Sequence, residues 1–191
     1  MRKNILTREM SNIGRFTLPA AVGEPFRHYP PGSKDASDLA AVCKTMRGQT
    51  VEIPCVVNGK EYFTGNTFDQ VMPSDHGVVL AKVHQATPDI IKDAIAVSNS
   101  ARAEWAAMPI EHRLMIFRKA ADQLADKYRM DILASTMLGQ GKTTWQAEID
   151  ASVETIDFLR INSQYVQEIY DVQPPLNSPN TWNRLEYREL E

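Results

Sequence analysis

The stretch STMLGQGKTTWQAEID, residues 135–150, decides how the chain is organised. Apolar residues at helical spacing precede Gly139 and Gly141, and a second helical pattern follows Thr143 and Thr144. Glycine ends helices in the left-handed conformation, and threonine begins them as an N-cap. We therefore predict that Gly139 ends one helix in the left-handed region and that Gly141 lets the chain reverse. Thr143 or Thr144 then caps a long helix.

The same glycines also resemble the end of a phosphate-binding loop. That motif requires a glycine five residues before Gly141, where this chain has Thr136, and a buried strand upstream, where we predict a helix. The motif is therefore half-formed, and helix caps account for these residues without a ligand. Lys142 is then a surface or interface cation, and a nucleotide-hydrolysing function is rejected.

Helical patterns cover most of the chain around this turn. Thr87-Pro88-Asp89 is a strong helix start, because threonine caps, proline suits the first turn and an acid favours the positive end. Trp105 continues the apolar stripe of that helix and is predicted to lie in the core. The predicted helices cover residues 35–47, 87–106, 109–128, 130–138 and 143–169.

The region before these helices has the two-residue period of strands. The run TVEIPCVV (50–57) is followed by Asn58-Gly59 and a second β-rich run, which predicts a hairpin with a type I′ turn. Pro54 should lie at an edge or a bulge, because it has no N–H group. A second pair of runs covers 68–72 and 78–84. We predict a small, mostly antiparallel sheet, preceded at residues 17–34 by a proline-rich arm.

Composition excludes several classes of function. The net charge of −3 gives no global attraction to nucleic acid or to an anionic membrane, and no window is apolar enough for a membrane span. Cys43 and Cys55 form no C-x-x-C pair, and the four histidines lie far apart, so no disulfide framework or metal site is predicted.

The first sixteen residues, MRKNILTREMSNIGRF, carry four basic residues and one acid. Such a segment is typical of a mitochondrial presequence, although other basic, serine-containing starts are similar. The sequence therefore favours the mitochondrial matrix, with the cytoplasm as the alternative.

Residues 101–165 resemble the N-terminal helical region of the aldehyde dehydrogenase superfamily. Three segments in particular are similar to the Δ1-pyrroline-5-carboxylate dehydrogenases, also called L-glutamate γ-semialdehyde dehydrogenases: Ile53 to Val57, Met137 to Thr143 and Gln146 to Ala151. The resemblance covers about residues 24–191. It implies an α/β, aldehyde dehydrogenase-like fold of which this chain is the N-terminal part. That part would be a small antiparallel β region, a helical cluster and the start of a β-arm.

The resemblance also implies a division of the chain. Residues 1–34 would be an extended arm, 35–175 the N-terminal part of the NAD-binding domain, and 176–191 the start of an oligomerisation β-arm. A strand in that last segment needs a partner strand.

Members of this family oxidise L-glutamate γ-semialdehyde to glutamate with NAD, in proline catabolism. The resemblance implies that their nucleophilic cysteine, their water-activating glutamate, their oxyanion-binding asparagine and their dinucleotide-binding unit all follow the part matched here. Cys55 lies in an apolar strand without an adjacent cation, which predicts an inert thiol, and Cys43, on a short helix, is likewise predicted to serve packing. We therefore expect no catalytic residue in this chain, and no NAD bound by this chain alone.

One functional residue carries over from the family. In members of the family, a glutamate on the long helix lies near the polar end of the substrate. The matching position in this sequence is Glu154. Its spacing from Ala147 and Ala151 places it on their helical face, so it could point inward, paired with an arginine or hydrogen-bonded. A solvated Glu154 is the alternative. Glu148 and Asp150 are predicted to be exposed.

Two hypotheses remain from the sequence. In the first, the chain is the N-terminal part of such a dehydrogenase, inactive by itself, and its partner is the remainder of the enzyme. In the second, it is a shortened, non-catalytic subunit of a larger, mitochondrial assembly. Both predict a homo- or hetero-oligomer.

Overall fold

The computed structural model describes residues 17–188, and its strands form two small sheets. One sheet has three strands in the order β1-β5-β4, and the other is the β2-β3 hairpin. The strands are β1 Val51–Ile53, β2 Cys55–Val57, β3 Lys60–Tyr62, β4 Thr67–Met72 and β5 Asp75–His84.

The predicted hairpins are present. Asn58 and Gly59 both have positive φ, 51° and 73°, as a type I′ turn requires, and they join β2 to β3. β4 and β5 pair antiparallel, with an irregular register between Gln70 and Met72.

One pairing differs from the predicted antiparallel pattern. β1 runs parallel to β5, with Val51 opposite Ala81 and Ile53 opposite Val83. Pro54 is the physical reason that the run TVEIPCVV divides, because it cannot donate to a ladder. The residues before Pro54 join the three-stranded sheet, and those after it form the hairpin.

Helices make up the rest of the regular structure, close to the predicted limits. Ser33 and Thr87 accept hydrogen bonds from the first turns of α1 and α2. The segments are α1 Lys34–Arg47, α2 Pro88–Ala107, α3 Ile110–Ala125, α4 Arg129–Gln140, α5 Thr144–Ala147, a π-helical segment Glu148–Val153, and α6 Glu154–Asp171. The predicted helix at 143–169 is thus interrupted by one π-helical segment, which the sequence pattern does not indicate.

The core lies between two pairs of helices. α1 packs on α4, and Leu39, Leu133, Ala134 and Ala147 are buried together there. α3 packs on α6 around Leu114, Ala121 and Ile156. The fold is therefore mixed α/β with a small sheet region and a helical cluster, as predicted.

The prediction that Trp105 lies in the core is wrong. Its side chain is 41% exposed, and no residue of α2 is buried. Among the described residues, α2 packs mainly against the short strand β2, which covers only one side of the helix. The apolar stripe read from the sequence is real but stays largely exposed, with Arg113 over the Trp105 ring at 6.0 Å.

The segment after α6 folds back on the end of that helix. The amide of Gln173 exchanges two hydrogen bonds with the backbone of Leu185, and Tyr187 stacks on Tyr170 at 4.6 Å. Residues 172–188 contain no strand. The predicted strand of 176–191, which needs a partner, stays a prediction.

The predicted presequence, residues 1–16, lies outside the described residues. Within residues 17–188, none of the helices combines the length and the apolar character that a membrane crossing requires.

The turn between α4 and α5 follows the predicted logic with one correction. Gly139 lies inside α4, and Gly141 is the left-handed cap, with φ of 69° and its N–H bonded to the Met137 carbonyl at 3.0 Å. Thr143 caps α5, and Gln146 returns the bond in a capping box. The polar groups of this turn, which resembles a phosphate-binding loop, thus hydrogen-bond to one another in the helix caps. Lys142 pairs with Asp150.

The two glycines of this turn should respond oppositely to alanine. Gly141→Ala forces a Cβ into the left-handed region and should lower the free energy of unfolding by about 1–2 kcal/mol. Gly139→Ala is the matched control, because its Cβ would meet nothing within 4 Å on a helix, and it should raise stability by about 0.5–1 kcal/mol. Urea unfolding of both variants measures this. Equal effects would contradict the assignment of the cap.

Candidate functional site

The N-terminal arm, residues 17–33, lies along α6 and the π-helical segment. Every third amide from Leu18 onward donates to a helix side chain. The acceptors move backward along the chain as the arm advances, so the arm runs antiparallel to α6. The bonds are Leu18 to Gln167 (2.8 Å), Ala21 to Gln164 (2.8 Å), Glu24 to Asp157 (2.6 Å) and Arg27 to Glu148 (2.8 Å).

The side chains of α6 accept the hydrogen bonds that a neighbouring β-strand would otherwise accept from this arm. An extended segment cannot satisfy its own amides, so each buried N–H must find an acceptor elsewhere. Pro19 and Pro25 have no N–H and place no such demand. The spacing of glutamines and acids on the helices therefore fixes the position of the arm.

The arm ends at a buried carboxylate, Glu148. Its side chain is completely buried and accepts from three donors: the guanidinium of Arg129, the hydroxyl of Tyr29 at 2.8 Å and the Arg27 amide. Arg129 is also fully buried. Two buried opposite charges that hydrogen-bond to each other form a pair that is costly to break by removing one partner.

A second carboxylate completes the group, which we call the buried charge network: Glu24, Tyr29, Arg129, Glu148 and Arg160. Glu24 accepts from Arg129 Nη1 at 2.6 Å and from Arg160 Nη1 at 2.7 Å. Arg129 therefore bridges two carboxylates, one on the arm and one in the π-helical segment.

The network shifts the titration of its members. Burial alone would raise the pKa of Glu24, but hydrogen bonds from Arg160 and Arg129 outweigh it and lower that pKa below 4.5. Burial disfavours the Arg129 cation, yet its bonds to Glu148 and Glu24 raise its pKa. Burial and the bond to Glu148 raise the pKa of Tyr29 to about 12. Glu24 and Arg129 therefore stay charged and Tyr29 stays neutral near neutral pH, which suits a structural role and not proton transfer.

The prediction that Glu148 is exposed is wrong. The residue lies three and four positions before Ala151 and Ser152, which are buried, and so shares their face. A charged residue on that face was read as solvated, because its partner, Arg129, lies 19 residues away and appears only in the folded chain. The available signal in the sequence for a buried partner was Arg129, a single arginine at the start of the apolar pattern of α4. Asp150 is exposed, as predicted.

Glu154 is exposed and begins α6. It does not share the buried face of Ala147 and Ala151, because the π-helical segment between them shifts the helical register. Of the alternatives left open, its side chain takes the solvated one. No described residue forms a hydrogen bond or ion pair with its carboxylate.

Large apolar side chains continue the face on which Glu154 lies. Phe158 follows one turn later and is 62% exposed, and Tyr165 and Ile169 extend the same stripe. We call Glu154, Phe158, Tyr165 and Ile169 the α6 stripe. It combines a free carboxylate with an apolar surface, which is a typical composition for one wall of a ligand site.

The described residues do not fit a dinucleotide. One helix, α2, closely follows a strand, β5, but the connection Gln85-Ala86-Thr87 has no glycine. Pro88 removes an N–H from the helix start, and Asp89 places a negative charge there, where a pyrophosphate would need a positive site. α5, after the glycine turn, has four residues, and its cap is filled by Thr143 and Gln146.

The two cysteines are not arranged as nucleophiles. Burial raises the pKa of Cys43, whose side chain packs against the core around Leu39. Cys55 Sγ donates to the His84 carbonyl at 3.2 Å. Among residues 17–188, no three metal-binding side chains cluster closely enough to hold an ion.

Comparison with known proteins identifies the family. The sequence pattern described as "Aldehyde dehydrogenase family" matches residues 62–189, two thirds of the chain. The chain belongs to the aldehyde dehydrogenase family. The predicted superfamily and the predicted fold are thereby confirmed.

Relatives within the family are Δ1-pyrroline-5-carboxylate dehydrogenases. The mitochondrial enzyme of Dictyostelium discoideum is 49% identical over 191 residues, which are 100% of this chain and 34% of that protein. The mitochondrial enzyme of Homo sapiens is 40% identical over 195 residues, again 34% of its length. The crystal structure of the Mycobacterium tuberculosis enzyme bound with NAD superposes with a TM-score of 0.89 at 35% identity, covering 92% of this chain and 33% of that one.

These matches confirm the resemblance to Δ1-pyrroline-5-carboxylate dehydrogenases. The chain spans about a third of the length of the curated relatives it matches. The activity and partners of a whole dehydrogenase are therefore proposals for this chain.

Removing the shared cation of the network should be strongly destabilising. Arg129→Met leaves Glu148 in the interior without its cation and removes one of the two cations that pair with Glu24, so it should lower the free energy of unfolding by about 3–5 kcal/mol. Lys142→Met breaks the partly exposed pair with Asp150 and should cost about 1 kcal/mol or less. Chemical denaturation compares the two. A similar small loss for both variants would show that the network contributes little.

The network should also make stability depend on acid. Because the folded pKa of Glu24 is lowered, its contribution is complete above pH 4.5 and is lost as the pH falls below that value through the folded pKa. Glu24→Gln should therefore be less stable at neutral pH but should lose less stability on acidification. Urea unfolding at several pH values measures this. Glu61→Gln, on an exposed position of β3, is the control and should keep the pH dependence of the unmodified chain.

Proposed function

We propose that the chain is a segment of an NAD-dependent dehydrogenase that oxidises L-glutamate γ-semialdehyde to glutamate in proline catabolism. The observation that carries this proposal is the 49% identity, over the whole chain, to a Δ1-pyrroline-5-carboxylate dehydrogenase. The segment would contribute one wall of the substrate site and a scaffold. The nucleophile and the NAD site would come from other parts of the dehydrogenase, since the described residues fit neither.

Glu154 is the residue we propose for substrate binding. The semialdehyde carries an α-ammonium and an α-carboxylate, and a glutamate attracts the first and repels the second. Its carboxylate is free to accept hydrogen bonds, whereas those of Glu24 and Glu148 are saturated by arginines. When other parts of the enzyme cover the apolar residues beside it, the lower local dielectric would strengthen its bond to the ammonium.

The exposed apolar surfaces support a partner-dependent protein. α2 exposes Ile91 and Ile95, and the α6 stripe exposes three large side chains. We propose that the remainder of a dehydrogenase covers them, in a homo- or hetero-oligomer. The proposed divisions are an arm at 1–34, part of the NAD-binding domain at 35–175, and the start of an oligomerisation β-arm at 176–191.

We place this dehydrogenase in the mitochondrial matrix, with the cytoplasm as the alternative. The proposal is supported by the basic composition of residues 1–16 and by the relatives named as mitochondrial.

A chimaera tests the function directly. Residues 1–191 replace the matching third of the Dictyostelium discoideum enzyme, and NAD reduction is measured with the semialdehyde as substrate. We expect an active oligomer. A folded chimaera that lacks activity would favour the other hypothesis, a non-catalytic subunit of a larger assembly, which the exposed apolar surfaces also allow.

Glu154→Gln in this chimaera should raise KM for the semialdehyde with a smaller effect on kcat. Loss of a charge-assisted hydrogen bond of about 1.5–3 kcal/mol corresponds to about a tenfold rise or more. Glu168→Gln is the matched control, because Glu168 is also an exposed glutamate of α6 but lies almost four turns away. An unchanged KM in Glu154→Gln would remove this residue from the substrate site.

A further inference from the structure

The π-helical segment Glu148–Val153 lies directly before Glu154. It is the one such segment in residues 17–188, and it joins α5 to α6 without a break in the helix. A π-helical turn contains one residue more than the α-helical pattern and is found frequently at functional sites. Its position, one residue before the proposed substrate ligand, requires a structural explanation.

Hydrogen bonds at both ends hold the wide turn. At its start, Glu148 is fixed by the buried charge network through Arg129, Tyr29 and the Arg27 amide. At its end, the hydroxyl of Thr155 donates to the Asp150 carbonyl, five residues earlier, at 3.3 Å. That bond spans the same interval as the backbone bonds of a π-helix and satisfies a carbonyl of the widened turn.

The extra residue determines which side chain faces outward. Three consecutive residues, Ala151 to Val153, are buried, which an α-helix with steps of about 100° does not allow on one narrow face. In an uninterrupted helix, Glu154 would follow Ala147 and Ala151 onto the buried side. The wide turn shifts the register, so that Val153 and Ile156 fill the inward positions and Glu154 projects outward beside Phe158.

We propose that Thr155 and Glu148 are positioning residues, which hold the wide turn so that the carboxylate of Glu154 points to the substrate's ammonium group. This inference rests on the proposed function. Neither residue contacts substrate in this arrangement. Both act through the direction of Glu154, and they connect the substrate site to the N-terminal arm.

The test uses the chimaera and the hydroxyl of Thr155. Thr155→Val removes the hydrogen bond at nearly constant volume, and we expect KM for the semialdehyde to rise about two- to tenfold, with kcat less affected. Thr155→Ser restores the hydroxyl and should restore KM. Tyr29→Phe, which removes one donor to Glu148 and leaves its ion pair, should raise KM in the same direction. Ser163→Ala is the control, since it removes a hydroxyl bonded to the Leu159 carbonyl on the same helix, away from the wide turn.

The double variant with Glu154→Gln decides the mechanism. If Thr155 acts through Glu154, Thr155→Val should add little to KM once Glu154 has been replaced. An equal rise in KM with and without Glu154→Gln would overturn the inference. A second result would also overturn it: Glu154→Gln raises KM, but Thr155→Val and Tyr29→Phe both leave KM unchanged. The proposed function would survive those results. An unchanged KM in Glu154→Gln would instead remove Glu154 from the site, and this inference with it.

Discussion

The guanidinium of Arg129 has no access to water, so its charge must be balanced by groups inside the protein. Glu24 supplies one carboxylate from the N-terminal arm, and Glu148 supplies the other from the π-helical segment. Glu24 and Glu148 are separated by more than a hundred residues in the chain, yet Arg129 requires both within hydrogen-bonding distance. That requirement fixes the register of the arm and the start of the wide helical turn. Burying such a network contributes less net stability than its contacts suggest, because desolvation offsets much of the attraction. Its stronger effect is on specificity: an arrangement in which either carboxylate is displaced leaves a charge unpaired.

The local part of this structure could be predicted from the sequence, because its signals lie within a few residues. Thr87 before Pro88, the Asn58-Gly59 turn and the Thr143 cap each determine a backbone conformation without help from distant residues. Glu148 could not be placed in this way, since its burial depends on Arg129 and on the arm. Glu154 was assigned to the wrong face for a related reason. The helical period was applied through a segment where tertiary contacts hold an extra residue in the turn, and counting residues cannot reveal that. The parallel pairing of β1 was missed because it joins residues about 30 positions apart.

The molecule has two kinds of surface. Toward the arm, helix side chains accept hydrogen bonds from four arm amides, and the aromatic ring of Trp145 stacks with Phe26 at 5.5 Å. Toward the opposite faces of α2 and α6, large apolar side chains remain exposed. Chains of this size normally bury such stripes against another layer. The arm side is therefore held by contacts within residues 17–188, whereas the outer faces of α2 and α6 are suited to association with further protein.

The same contrast applies to two glutamates on one continuous helix, the buried and paired Glu148 and the exposed Glu154. Glu148 accepts three hydrogen bonds and is neutralised by Arg129, so it has no remaining capacity for a cationic ligand. Glu154 lies six residues later, has no partner among the described residues and projects onto the apolar stripe. In an α-helix, residues six positions apart are related by a fixed angle. The wide turn rotates less per residue and so changes the angle between Glu148 and Glu154. In the proposed arrangement, the saturated glutamate directs the free one. In the proposed site, a fixed backbone direction at Glu154 would reduce the conformational freedom lost when a cation binds, which is the advantage of a preorganised site over a flexible surface acid.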